Sequence, residues 1–183
     1  MEDARLLTYT LDEHRHIFSA WCASTAARSS PKCRFKVELG KIILDRSFII
    51  PSRIDNEIGL LKYETFDTWH NNLCDQILMN AKDISGFSFG IAAKMLNCYL
   101  KACYLSKLDD LPLIHPPIDR LLLRELRNRK IGNKEKIWSK YEKIGWSNFT
   151  CTDYYSVIHE IRSVLPTNYP LWKIEAFWVG HQS

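Results

Sequence analysis

No two of the six cysteines, Cys22, Cys33, Cys74, Cys98, Cys103 and Cys151, form a Cys-x-x-Cys pair. That spacing argues against a zinc or iron–sulfur site built on neighbouring thiols. They sit in or beside apolar helical patterns, so they are expected to be buried free thiols in a reducing cytoplasm, with no metal and no cofactor. The opening residues MEDARLLTYT lack a basic leader followed by an apolar core, so no secretory signal is expected. No apolar run approaches the roughly 18 residues of a membrane span, and no membrane partner is predicted. Repeats and low-complexity tracts are missing as well. Neither sign of charge dominates: 25 basic against 21 acidic residues leave a net +4, too little to establish nucleic-acid binding. Where the charge sits matters more than its sum.

What remains is ordinary globular material. The chain has 183 residues, 46% hydrophobic and 25% charged, enough for one domain with its own core. Strand-like alternation is weak, and the spacing predicts an all-α, compact multi-helix domain over residues 1–183. Helices are expected over 11–28, 34–44, 64–82, 91–105, 119–128, 152–165 and 171–179, with a loop around Pro51. In 64–82, Phe66, Trp69, Leu73, Cys74 and Ile77 line one face. The 91–105 segment is almost wholly apolar and reads as the buried central helix. On the first helix Phe18, Trp21, Cys22 and Thr25 form an apolar stripe, and Trp172, Phe177 and Trp178 read as core near the end of the chain.

One stretch combines features that point to chemistry. Ile84-Ser85-Gly86-Phe87-Ser88-Phe89-Gly90 is a turn with two glycines ahead of the central helix. Its exposed amides at a helix start can hold a phosphate. After a proline-rich loop comes Pro117-Ile118-Asp119-Arg120-Leu121-Leu122, which puts Asp119 at the next helix start, where a carboxylate is favoured as a cap and by the helix dipole.

Together these elements, the hairpin-helix segment 84–105 and the aspartate helix 117–130, resemble the helix-hairpin-helix DNA glycosylases of the endonuclease III and 8-oxoguanine glycosylase type. In that family an L-P-G-V-G-x-x-x-A hairpin precedes a central helix and a catalytic aspartate. Residues 84–92 are similar to that hairpin, and Pro117-Ile118-Asp119 is similar to the aspartate element. Ser85 stands where the family has proline, Ser88 where it has the second glycine, and the gap before the aspartate is longer. Family members that also cut the strand carry a nucleophilic lysine four residues after the first glycine; that position here is Gly90. The resemblance therefore implies a monofunctional enzyme, acting as a monomer on double-stranded DNA with a damaged or modified base. It would release the base through water without a Schiff base, in repair or in defence against phage with modified DNA.

The resemblance assigns Asp119 as the catalytic carboxylate, which would stabilise the cationic sugar and orient or deprotonate the attacking water. Asp119 acting only as a helix cap is the plainer alternative. Gly86, Ser88, Gly90 and Lys94 would contact DNA at the hairpin. Arg120, Arg124 and Arg127, followed by Arg129, Lys130, Lys134 and Lys136, would contact the backbone beside the aspartate. His14, Phe18, Trp21, Thr25 and Arg28 share one helix face and would line a pocket for the extruded base; Phe18 and Trp21 as simple core is the alternative. His115 is a further pocket candidate. A non-catalytic helix-hairpin-helix DNA-binding module and a helical protein-interaction subunit are the competing readings.

Overall fold

The computed structural model describes residues 8–28, 30 and 33–180. These fold as helices α1 (Leu11–Ala27), α2 (Val37–Arg46), α3 (Pro51–Ile58), α4 (Tyr63–Asn80), α5 (Phe89–Cys103), α6 (Arg120–Asn128), α7 (Glu135–Ile144) and α8 (Cys151–Val164). Short 3-10 turns follow α5 (Leu105–Asp110), α6 (Ile131–Asn133), α7 (Trp146–Asn148) and α8 (Leu171–Phe177). Among the described residues there is no strand, and no helix is long and apolar enough to cross a membrane.

Helix α5 is the axle of the fold. Ile91, Ala92, Ala93, Met95, Leu96, Tyr99 and Leu100 are all sealed from solvent, as its apolar composition predicts. It packs against α1, α4 and α8, while α6 and α7 pair beside it. Helix α4 buries the expected face, with Phe66, Leu73, Cys74 and Ile77 inside and Trp69 partly covered.

Helix α1 turns the opposite way to its large apolar residues. Its buried positions are Ser19, Ala20, Ala23, Ser24 and Ala27, whereas Phe18 and Trp21 are 51% and 53% exposed. Close helix approach is the reason. A Cβ on Gly40 of α2 would come within 2.2 Å of Ser24 Oγ, so only small side chains fit where these helices meet. The core alternative for Phe18 and Trp21 is thereby excluded.

Other expectations are corrected too. The loop around Pro51 is helix α3, with proline in the first turn, where its missing N–H costs nothing. Helix α7 had no counterpart in the sequence reading; its buried anchors are only Trp138 and Tyr141. The last segment is a 3-10 turn rather than an α-helix. Its Trp172, Phe177 and Trp178 are only partly buried, packed at the edge of the core. Cys33, Cys74 and Cys103 are buried, but Cys22 and Cys98 are half-buried and Cys151 is exposed.

Candidate active site

The turn before α5 is tied to the 146–149 segment through Ser88 and Gly90. Gly86 makes the bend with a φ of 75° and is exposed. Ser88 caps α5 by accepting from Ile91 N, and its own hydroxyl donates to the Ser147 carbonyl at 2.9 Å. The Gly90 amide donates to the Phe149 carbonyl at 3.1 Å. A Cβ on Gly90 would lie 1.9 Å from the Trp146 carbonyl oxygen. Gly90 is thus a glycine because another backbone crosses there. Ser88 and Gly90 are spent on the 146–149 segment, not on a phosphate.

One turn further along α5 stands Lys94, which is 8% exposed. Its Nζ sits 4.0 Å from the centre of the Trp146 ring and 4.0 Å from Asp119 Oδ2. Burial pushes its ammonium below the usual lysine range against the pull of Asp119. An amine therefore does reach the aspartate, although positional matching to the family puts Gly90 there. Lys94 belongs to this interior pair and not to an outer DNA-contact surface.

Asp119 is the N-cap of α6. Oδ1 accepts from Leu122 N at 2.9 Å, and Oδ2 accepts from Trp178 Nε1 at 2.9 Å. Cap and site are the same carboxylate: one oxygen closes the helix, and the other faces Lys94. The following Leu122, Leu123 and Leu126 are buried and lock α6 in place. Asn97 locks the approach from the other side. Its amide donates to the Pro116 carbonyl at 3.1 Å and to Tyr154 Oη at 2.8 Å, and its Oδ1 lies 2.8 Å from His70 Nε2. Asn97 thereby ties the loop that delivers Asp119 to the helix that delivers Lys94. The sequence held one signal for it: a carboxamide in the middle of a mostly apolar helix.

Lys94 and Asp119 open on a cleft of about 440 Å³, within the roughly 300–1,000 Å³ range of small-ligand sites. Trp21 and Thr25 of α1 form one wall, Cys98 and Lys101 of α5 the floor, and Glu175 and Trp178 the far side. Lys101 Nζ pairs with Glu175 Oε2 at 2.5 Å, and burial raises the Glu175 carboxyl, with Lys101 opposing and Asp119 adding to the rise. Phe18 extends the Trp21 wall outward, ring centres 6.2 Å apart. Of the expected pocket face, Trp21 and Thr25 reach the cleft; His14, bonded to Tyr9 Oη at 3.0 Å, and Arg28 are exposed on α1 and do not line it.

His115 is corrected outright. It is fully buried, with Nδ1 3.0 Å from Tyr154 Oη and Nε2 3.0 Å from Asp67 Oδ1. Its ring packs 4.6 Å from that of His70, and Arg162 closes the group by a two-pronged bond to Asp67 at 2.6 Å. Burial keeps both histidines below the usual imidazole range, with His70 down to about 3. Burial alone would raise Asp67, but Arg162 and His115 hold it well below an ordinary carboxylate.

The arginines of α6 are partly neutralised. Arg124 Nε and Arg127 Nη1 lie 3.2 and 2.5 Å from Glu142, and Arg120 Nε lies 3.9 Å away. Three cations around one carboxylate leave positive charge beside Asp119, and Arg120 keeps 68% of its side chain exposed. Among the described residues no group of histidine, cysteine and carboxylate side chains is arranged to hold a metal. No protein-family model, curated protein or solved structure matches the chain.

Proposed function

We propose that this chain is a DNA N-glycosylase that releases a damaged or modified base extruded from a duplex, with Asp119 as the catalytic carboxylate. The carrying observation is the pairing of Asp119 and Lys94, 4.0 Å apart, at an open cleft walled by indole rings. As the bond from the sugar to the base breaks, its electron pair leaves with the base and the anomeric carbon becomes cationic. Asp119 Oδ2 stabilises that charge and takes the proton of the water whose oxygen bonds to the carbon. The Trp178 N–H and the helix cap hold the carboxylate in one orientation, so little reorganisation accompanies the step. Trp21 offers a face on which the extruded base stacks.

Backbone contacts fall to Arg120, Arg124 and Arg127 on the outer face of α6 and to Gly86 at the exposed bend. The binding-module reading loses the Gly90 amide, which is engaged with the Phe149 carbonyl. Asp119 and the Trp146 ring stabilise the ammonium form of Lys94 against the effect of burial, which favours hydrolysis over amine attack.

Duplexes carrying single damaged or modified bases, incubated with the protein and then treated with alkali, test the proposal. Base release is expected from at least one of them. Asp119→Asn should lower that release about 100-fold or more while DNA binding by the folded protein holds. Borohydride should trap no covalent adduct; an adduct on Lys94 overturns the hydrolytic mode, and no release across the panel overturns the enzyme.

A further inference from the structure

Charge is spread unevenly along this chain. Residues 120–143, from the start of α6 to the last turn of α7, hold nine of the 25 basic side chains and three of the 21 acidic ones. That is a net +6 where the whole chain carries +4, so all the other residues together come to −2.

Folding gathers the excess on one surface. Lys136, Lys140 and Lys143 recur at helical spacing and are exposed, on the side of α7 opposite its buried Trp138 and Tyr141. They span about 10 Å of helix axis, the rise of seven residues. Lys134 does not join them, because it is turned to Glu160 and Ser163 of α8. The carboxylates are the shielded members. Glu142, one position before Lys143, is 9% exposed and draws Arg120, Arg124 and Arg127 of α6 to within 3.9 Å. Glu125 is mostly covered and bonds to Arg129 at 3.3 Å, and Glu135 is half-buried at the start of α7. The paired helices thus present adjoining basic faces that begin at Arg120, next to Asp119.

A row of exposed cations complements a row of phosphates. Each DNA strand places one about every 3.4 Å along the duplex axis, so the three lysines match about three base steps. An anionic bilayer is the other extended polyanion, but a helix lying on it buries apolar side chains in the lipid. Those of α7 are committed to the core.

We propose that the α6–α7 pair is the docking surface for the duplex, with Lys136, Lys140 and Lys143 holding backbone beyond the stretch reached by Arg120, Arg124 and Arg127. The inference rests on the glycosylase reading for the identity of the polyanion as DNA.

Anisotropy titrations of a short undamaged duplex at several salt concentrations test it apart from base release. Lys136→Gln, Lys140→Gln and Lys143→Gln together should lower the slope of log affinity against log salt by about 2 to 3. Lys36→Gln, Arg46→Gln and Lys107→Gln remove the same charge from exposed positions elsewhere, and should leave the slope within about 0.5 of the unaltered value. Amine acetylation of the unaltered protein asks the same question without substitution. Bound duplex should protect Lys136, Lys140 and Lys143 and leave Lys36 and Lys107 reactive.

Equal slopes in the two triple variants, or no protection of the three lysines, overturns the inference. Capture by phosphatidylserine vesicles that needs the three lysines, beside DNA binding that does not, overturns it as well. A lysine-dependent slope without base release from any substrate overturns the glycosylase reading alone. Base release with a slope indifferent to the lysines overturns this inference alone.

Discussion

Two polar clusters flank helix α5, built from similar parts, and they differ in how densely their members bond to one another. The sealed one gathers Asp67, Arg162 and Tyr155 around the buried His70, Asn97, His115 and Tyr154 through ten hydrogen bonds, leaving Arg162 Nε unpartnered. The open one joins Lys94, Asp119, Trp178, Lys101 and Glu175 around a cavity, with a longer ion pair and one carboxylate oxygen unpartnered. A densely bonded buried network rigidifies a fold, whereas a sparser one at the edge of a cavity leaves room for a ligand. Titratable groups alone do not mark the site, since the more strongly shifted ones sit in the sealed cluster.

The comparison breaks most decisively at Asn97, which belongs to the sealed cluster yet holds the loop of the open one. Asn97→Leu should cost about 3 kcal/mol of stability by orphaning several buried partners. It should also lower base release more than binding, because Asp119 loses its register. Leu96→Ala, one residue away, should cost a similar 2–5 kcal/mol and leave release by the folded fraction intact. Denaturant titration and single-turnover release on both proteins separate the two. Similar loss of release in both would dissolve the positioning role.

Acid should open the sealed cluster first. His70 and His115 titrate below the unfolded imidazole value, so the unfolded chain takes up protons that the folded one refuses. The contribution of His70 is complete above about pH 6.5 and declines as pH falls toward 3, by up to about 1.4 kcal/mol per pH unit, and His115 adds to the decline in the same direction. Asp67, depressed in the fold, adds to the loss below about pH 4. Unfolding free energies measured from pH 7 to pH 4 should fall accordingly, and a flat profile would contradict the sealed, neutral histidines.

Trp21→Ala sharpens the contrast from the other side. Losing a stacking face should cut binding of DNA with an extrudable base about tenfold, while stability stays within about 0.5 kcal/mol because the ring is exposed. The smallest effect is expected at Arg120→Gln, which should lower the slope of log affinity against log salt by about one. Titrations at several salt concentrations measure it.

Much of the scaffold was legible because its signals are local. The apolar run of α5, the face of α4 and the cap at Asp119 follow from periodicity and from a carboxylate ahead of three leucines. Helices α3 and α7 were not, since each is short and α7 buries only Trp138 and Tyr141. The facing of α1 was misread because hydrophobicity weights Phe18 and Trp21 over alanine, whereas close packing against α5 and α2 selects the small side. His115 looked like a pocket residue by its place among prolines; only its partners 39 and 48 residues away put it inside.

By itself, the order of residues determined an all-helical chain with a buried central helix and a carboxylate at the start of the helix after it, since both depend on spacing within a few turns. Tertiary structure alone decided that Lys94 meets that carboxylate, that Trp21 and Glu175 share its cleft, and that Gly90 spends its amide on a neighbouring segment. Those are contacts between distant parts of the chain, fixed by how helices of unequal bulk pack around α5, and no local pattern encodes them.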